Sequence, residues 1–200
     1  MAEPPRQLVL ASASPFRRRM LEAAGLAVRV APADVDEPAV RRSLAGAEAA
    51  DVALALARAK AETISLRHPE AWVVGADQVL ALDNEMLSKP RDIDEARRDL
   101  QRLRGRSHGL ATAVALAQAG NIVWQHVETP WLTMRAFSDA FLERYLAGMG
   151  ERACLTVGAY EVEGCGIQLF ERIDGDMFTI IGLPLIPLLA ELRARGVIAT

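Results

Sequence analysis

The sequence predicts an α/β fold built on a mixed sheet. Short apolar runs alternate with helix-like stretches along the whole chain, which is the pattern of strands and helices packed in layers. Ala119-Gly120-Asn121 joins two apolar runs as a hairpin, and a purely parallel sheet has no place for one. No repeat, low-complexity tract or linker divides the 200 residues, so residues 1–200 read as one domain, with two lobes at most.

The elements follow from local signals. Gln7 to Ala11 is a buried strand. Ser14 suits a helix N-cap and Pro15 the first helical position, so a helix runs from there to about Ala24 and stops at Gly25. Leu26 to Ala31 reads as a second strand, and the acidic, proline-bearing stretch Pro32 to Arg42 as a loop. Glu48 to Leu66 is alanine-rich and helical, closed by Pro69. Ala71 to Leu82 is the most strand-like stretch, interrupted at Gly75-Ala76-Asp77, and Asp83-Asn84 turns it into Glu85-Met86-Leu87. Asp92 and Glu95 are spaced as a capping box for a helix to Leu103. Leu110 to Ala117 and Ile122 to Met134 form the hairpin, and Ser138 caps a helix ending at Gly148. Gly158 to Gly166 is a glycine-bearing loop, Ile167 to Ile173 a strand, and Leu185 to Arg195 the last helix.

Composition narrows the function. Hydrophobic residues make up 51% and charged ones 24%, ordinary for a globular chain, and the net charge of −3 argues against a general nucleic-acid binder. No run of about 18 apolar residues offers a membrane span. Met1 to Arg6 is polar and lacks the pattern of a signal peptide. Cys154 and Cys165 alone make no disulfide framework and suit a reducing, cytoplasmic setting. Of 23 basic residues only Lys60 and Lys89 are lysines, compact point charges where the rest are planar forks.

Several residues carry potential chemistry. Ser12-Ala13-Ser14-Pro15 ends a strand and opens a helix whose N–H groups favour an anion, with Arg17 on its first turn; an ordinary capped helix is the plainer reading. Lys60 shares a helix face with Val52, Leu56 and Ile64, where a lysine either snorkels past the core or points into a cleft. Asp77 ends the apolar run Trp72 to Ala76, and carboxylates rarely do so without a partner: it reads as a general base, a metal ligand or a turn cap. Pro90 holds Lys89 extended. Asp36 and Glu37 could supply a metal carboxylate, or form a solvated surface pair. Glu163, beside Gly164, could point into a pocket. His68, His108 and His126 lack metal-ligand spacing.

Taken in order, Leu8 to Pro15, Val35-Asp36-Glu37, Ala59-Lys60-Ala61, Gly75-Ala76-Asp77-Gln78, Ser88-Lys89-Pro90, Gly158-Ala159-Tyr160 and Gly182-Leu183-Pro184-Leu185 resemble the Maf family of nucleoside triphosphate pyrophosphatases. Phe16, Gln78 and Glu163, with the stretch Glu163 to Arg172, look like its 7-methyl-GTP subgroup. The resemblance implies a mixed sheet dividing two lobes around a cleft. It implies hydrolysis between the α- and β-phosphates, giving a nucleoside monophosphate and pyrophosphate. Asp77 matches the catalytic aspartate. Ser12, Ser14, Arg17, Lys60 and Lys89 would hold phosphates. Glu37, with Asp77, would hold a divalent cation, Mg²⁺ or Mn²⁺. Phe16 would stack on a positively charged methylated guanine and Glu163 would accept from its N1–H and N2–H₂. Two alternatives stay open: a pyrophosphatase for UTP, dTTP or modified nucleotides, and a nucleotide-binding regulator of septum formation without turnover. Family members often form homodimers, which no feature of this sequence settles.

Overall fold

The computed structural model describes residues 7–83 and 85–199. Met1 to Arg6, and Asn84 of the expected turn, lie outside the described residues. The chain runs β1 (Leu8–Leu10), α1 (Pro15–Ala23), β2 (Val28–Val30), α2 (Glu37–Ser43), α3 (Ala49–Arg67), β3 (Trp72–Leu82), β4 (Glu85–Leu87), α4 (Ile93–Leu103), β5 (Ser107–Gln118), β6 (Asn121–Glu128), β7 (Trp131–Met134), α5 (Asp139–Met149), β8 (Phe170–Asp174), α6 (Met177–Ile181) and α7 (Leu185–Ala194).

The sheet is mixed, as expected. Its order is β2-β1-β3-β5-β7-β8, with β4 added to β3 and β6 to β5. β1 is parallel to β2 and β3, and the other pairings are antiparallel. β3 and β5 form a long spine paired from Val73↔Ala117 to Ala81↔Gly109. On the free edge of β3, β1 covers Trp72 to Val74 and β4 covers Leu80 to Leu82. Between them Gly75 to Val79 has no strand partner on that side among the described residues. This gap is the cleft.

Side chains alternate along β3, so one face meets α3 and the other meets two separate cores. On the α3 face, Val79 and the alanines Ala111, Ala113, Ala115 and Ala117 pack under Val52, Leu56 and Ala61. The small residues let α3 lie close. On the other face, Val74, Ala76, Val114 and Leu116 join β1, α1 and α7, while Leu80, Leu82 and Leu110 join α4, α5 and β7. The cleft lies between those two cores.

Five local expectations are corrected. Pro32 to Arg42 is not all loop: Asp36 accepts from Ala39 N at 2.9 Å and Pro38 sits in the first turn of α2, a start signal hidden by the acidic composition. β3 is not interrupted at Gly75-Ala76-Asp77, because β5 pairs it throughout. The run Ile122 to Met134 divides at Thr129-Pro130 into β6 and β7, both on β5. Residues Cys165–Leu169 form a 3₁₀ turn, so β8 begins at Phe170 and not at Ile167. The capping box is also displaced by one residue: Asp92 accepts from Glu95 N, but Glu95 reaches back to Arg91 N at 2.7 Å.

His108 is fully buried on β5, with Nε2 2.8 Å from the Tyr160 hydroxyl and Nδ1 unpartnered among the described residues. Burial pushes its pKa down to about 4. The imidazole is neutral in the fold and takes up a proton on unfolding below about pH 6.5. Stability should therefore fall by about 3 kcal/mol as pH drops from 6.5 to 4 and then level off in this respect. Thermal melts across that range should show a slope that His108→Phe flattens; equal slopes would reject the assignment.

Candidate active site

Asp77 lies in the middle of β3, not at its end, and is 6% exposed. The carboxyl-end rule applies here to β1, which stops at Leu10 and opens the gap beside Asp77. Because Asp77 is an α3-facing position, its Oδ1 meets Lys60 Nζ at 2.5 Å. Glu37, on the first turn of α2, places Oε1 2.7 Å from the same ammonium. One lysine thus joins two carboxylates from separate elements. Asp36, by contrast, is spent on the α2 cap, and Glu37 is the residue that faces the cleft.

Lys60 therefore does not snorkel into solvent. Burial raises the Glu37 carboxyl pKa, but the hydrogen bond and charge of Lys60, with Arg41 and Lys89, outweigh it and hold the group below the usual glutamate range. Lys89 has no ion pair among the described residues. Burial lowers its pKa and so do Arg17 and Lys60, with Asp77 and Glu37 pulling the other way. An anion arriving beside it would relieve that repulsion.

Arg17 is clamped as well as charged. Its Nε donates to Gly182 O at 2.7 Å, and Nη1 to Ser12 Oγ and Ala76 O, both at 3.0 Å. The Ala76 carbonyl belongs to the unpaired edge of β3, so Arg17 satisfies a group the gap would otherwise strand. Burial lowers the guanidinium pKa, partly offset by Asp77 and Glu37. Nη2 makes no hydrogen bond among the described residues. Ser14 caps α1 by accepting from Arg17 N at 3.4 Å, and Ser12 Oγ accepts from Ser14 N at 3.3 Å. Both hydroxyls act as acceptors in these contacts, leaving their protons to be donated.

The opposite face of β3 holds a second feature. Phe16, Gln78, Tyr160, Val162, Glu163 and Ile181 line an open recess. The three residues expected to set specificity thus converge. Arg19 lies over one face of Phe16, 4.9 Å from the ring centroid. Glu163 is exposed at the recess and makes no hydrogen bond or ion pair among the described residues. Gly166 lets the loop fold tightly, since a Cβ there would lie 2.5 Å from Glu161 O. Sequence reasoning missed Thr112 and Thr179, which anchor Gln78. The signal for Thr112 was a lone hydroxyl inside Leu110 to Ala117.

The donor set fits a hard divalent cation. Asp77 and Glu37 each keep one oxygen outside the Lys60 contacts, and Mg²⁺ characteristically takes one or two carboxylates plus waters and substrate phosphates. Among the described residues no group of three His, Cys, Asp or Glu encloses a metal by itself. No described helix is long and apolar enough to cross a membrane.

The family model described as "Maf-like protein" matches residues 7–195. The chain belongs to the Maf family. It is 51% identical over 193 residues to "7-methyl-GTP pyrophosphatase" of Rhizobium meliloti (strain 1021), covering 96% of this chain and 97% of that one. The protein of the same name from Mesorhizobium japonicum is 52% identical over 194 residues, with 96% and 98% covered. "Nucleoside triphosphate pyrophosphatase" of Granulibacter bethesdensis is 51% identical over 189 residues, with 94% and 96% covered.

Proposed function

We propose that this Maf protein hydrolyses nucleoside triphosphates to monophosphates and pyrophosphate, with 7-methyl-GTP preferred. The observation that carries the reading is the division of β3. Asp77 faces a cluster of Lys60, Glu37, Lys89 and Arg17 suited to a triphosphate, and Gln78 faces an adjoining recess suited to a nucleoside. The names of the relatives agree with it.

Asp77 is the proton acceptor. Its Oδ1 is held by Lys60, and its other oxygen takes a proton from water as the water oxygen bonds to the α-phosphorus. The bond from that phosphorus to the bridging oxygen breaks, and pyrophosphate leaves. Lys60, Lys89 and Arg17 Nη2 neutralise the phosphates, and the Ser12 and Ser14 hydroxyls donate at the start of α1. Such reactions are catalysed mainly by positioning and electrostatics. A divalent cation on Glu37 and the substrate phosphates, when bound, would draw charge from the phosphate oxygens, while the Asp77 oxygen left free by Lys60 serves the water proton.

In the recess, Phe16 carries Arg19 on one face and offers the other to the base. Glu163 accepts from the N1–H and N2–H₂ of guanine. Uracil presents one N–H between two carbonyls, which a glutamine amide matches better.

Pyrophosphate release with Mg²⁺ should be measured for 7-methyl-GTP, GTP, UTP, CTP and dTTP. Preference for 7-methyl-GTP is expected. Preference for UTP or dTTP would discard the base assignment and keep the reaction. Nucleotide binding without any release would favour a regulator. Glu163→Gln should cut the ratio of kcat/KM for 7-methyl-GTP over UTP about tenfold or more, the loss of a charged hydrogen bond. An unchanged ratio would remove Glu163 from base recognition.

A further inference from the structure

Asp77 and Gln78 are chain neighbours whose side chains leave β3 on opposite faces, one into the cluster and one into the recess. Gln78 therefore stands where the phosphate end meets the base end. Its orientation is over-determined. Nε2 lies 2.9 Å from Thr112 Oγ1, 3.2 Å from Thr179 O and 3.0 Å from Ile180 O. The two carbonyls can only accept. The Thr112 hydroxyl donates its one proton to Leu110 O at 3.0 Å, so towards Gln78 it too accepts. A flipped amide would set Oε1 against three acceptors. The nitrogen is thus committed to the protein, and Oε1 is the group left for a ligand, with no donor among the described residues.

That oxygen is approachable. Gly182, at φ 122°, flanks it: a Cβ there would come within 4.0 Å of Gln78 Oε1 and 3.5 Å of Arg17 Nε. The glycine puts no side chain beside Arg17 and Gln78, and its positive φ disfavours one.

We propose that Gln78 reads the sugar: its Oε1 accepts a hydrogen bond from a ribose hydroxyl, and Thr112 is the positioning residue that locks the amide with its oxygen outward. The inference rests on the pyrophosphatase reading above. Glu163 and Phe16 serve the base, whereas Gln78 is one residue from Asp77, and the part of a nucleotide bonded next to its α-phosphate is the sugar. A deoxy analogue would leave Oε1 unpartnered.

The test uses the full chain with Mg²⁺ and the best nucleotide of the panel above, together with its 2′-deoxy and 3′-deoxy analogues. For wild type, kcat/KM should fall about tenfold or more for at least one deoxy analogue. In Gln78→Met that ratio should collapse towards one, with the loss falling on the ribonucleotide. In Thr112→Val it should fall part of the way, because the two carbonyls still hold the amide. Equal rates on all three sugars by wild type, within twofold, would overturn the proposal even if the variants fail to fold. So would a ribose preference that Gln78→Met leaves intact. No release from any nucleotide would remove the pyrophosphatase reading and this inference with it, whereas release without ribose preference removes this inference alone.

Discussion

Asp77→Asn is expected to fold as the wild type does and to lose about 10²–10⁴-fold in kcat, the usual contribution of a positioned general base. The substitution is nearly isosteric in a strand paired on its β5 side, so the sheet has no reason to change. The carboxamide oxygen can still accept from Lys60, and Glu37 still balances that ammonium. What is lost is the free carboxylate oxygen. Triphosphate binding should not weaken, because one negative charge has left a site built for an anion. The signature is therefore a kcat collapse with an unchanged or lower KM. A variant within threefold of wild-type kcat would remove Asp77 from its role. A large rise in KM with kcat preserved would instead make it a residue that only binds the metal and its nucleotide.

The alternation that places Asp77 and Gln78 on opposite faces of one strand was legible in the sequence only in part. Local signals sufficed where chemistry is local: Ser14-Pro15 marks the start of α1, and the alanine-rich stretch before Pro69 marks α3. They failed where a distant strand decides. Gly75-Ala76-Asp77 reads as a break because a glycine and a carboxylate are poor strand formers in isolation, yet nine register pairs with β5 carry β3 straight through. Asp36 and Glu37 could not be told apart by composition. The helix cap distinguishes them, since a side chain that holds Ala39 N cannot also face Lys60. Thr112 and Thr179 were invisible as partners of Gln78 because 34 and 101 residues separate them from it. Motif resemblance named the candidate residues; only the fold showed that those expected at the phosphates lie together and that those expected to set specificity share one recess.

Gly75→Ala should cost about 3 kcal/mol, the upper end for overpacking a close-packed interior, and a fall in Tm of about 6–12 °C for a domain of this size. A Cβ at Gly75 would lie 2.2 Å from Ala57 O, 2.7 Å from Ala61 N and 2.9 Å from Ala61 Cβ. None of these atoms is the end of a side chain that could swing aside, so α3 itself must lift from β3. Carbon contacts settle near 3.5 Å, which sets the displacement on the order of 1 Å. Lys60 adjoins Ala61 on that helix, and Asp77 lies two residues from Gly75 on that strand. Lifting α3 therefore draws the ammonium off the carboxylate it meets at 2.5 Å. Misplacement by about 1 Å is enough to cost about 10²-fold in rate. Activity measured well below the lowered Tm should thus be reduced by about that factor, separating lost geometry from lost protein. Gly148→Ala is the control: it sits in α5 with nothing within 4 Å of its added Cβ, and should be neutral or slightly stabilising with full activity. If Gly75→Ala kept wild-type Tm and rate, the close seat of α3 would not be what holds Lys60 against Asp77.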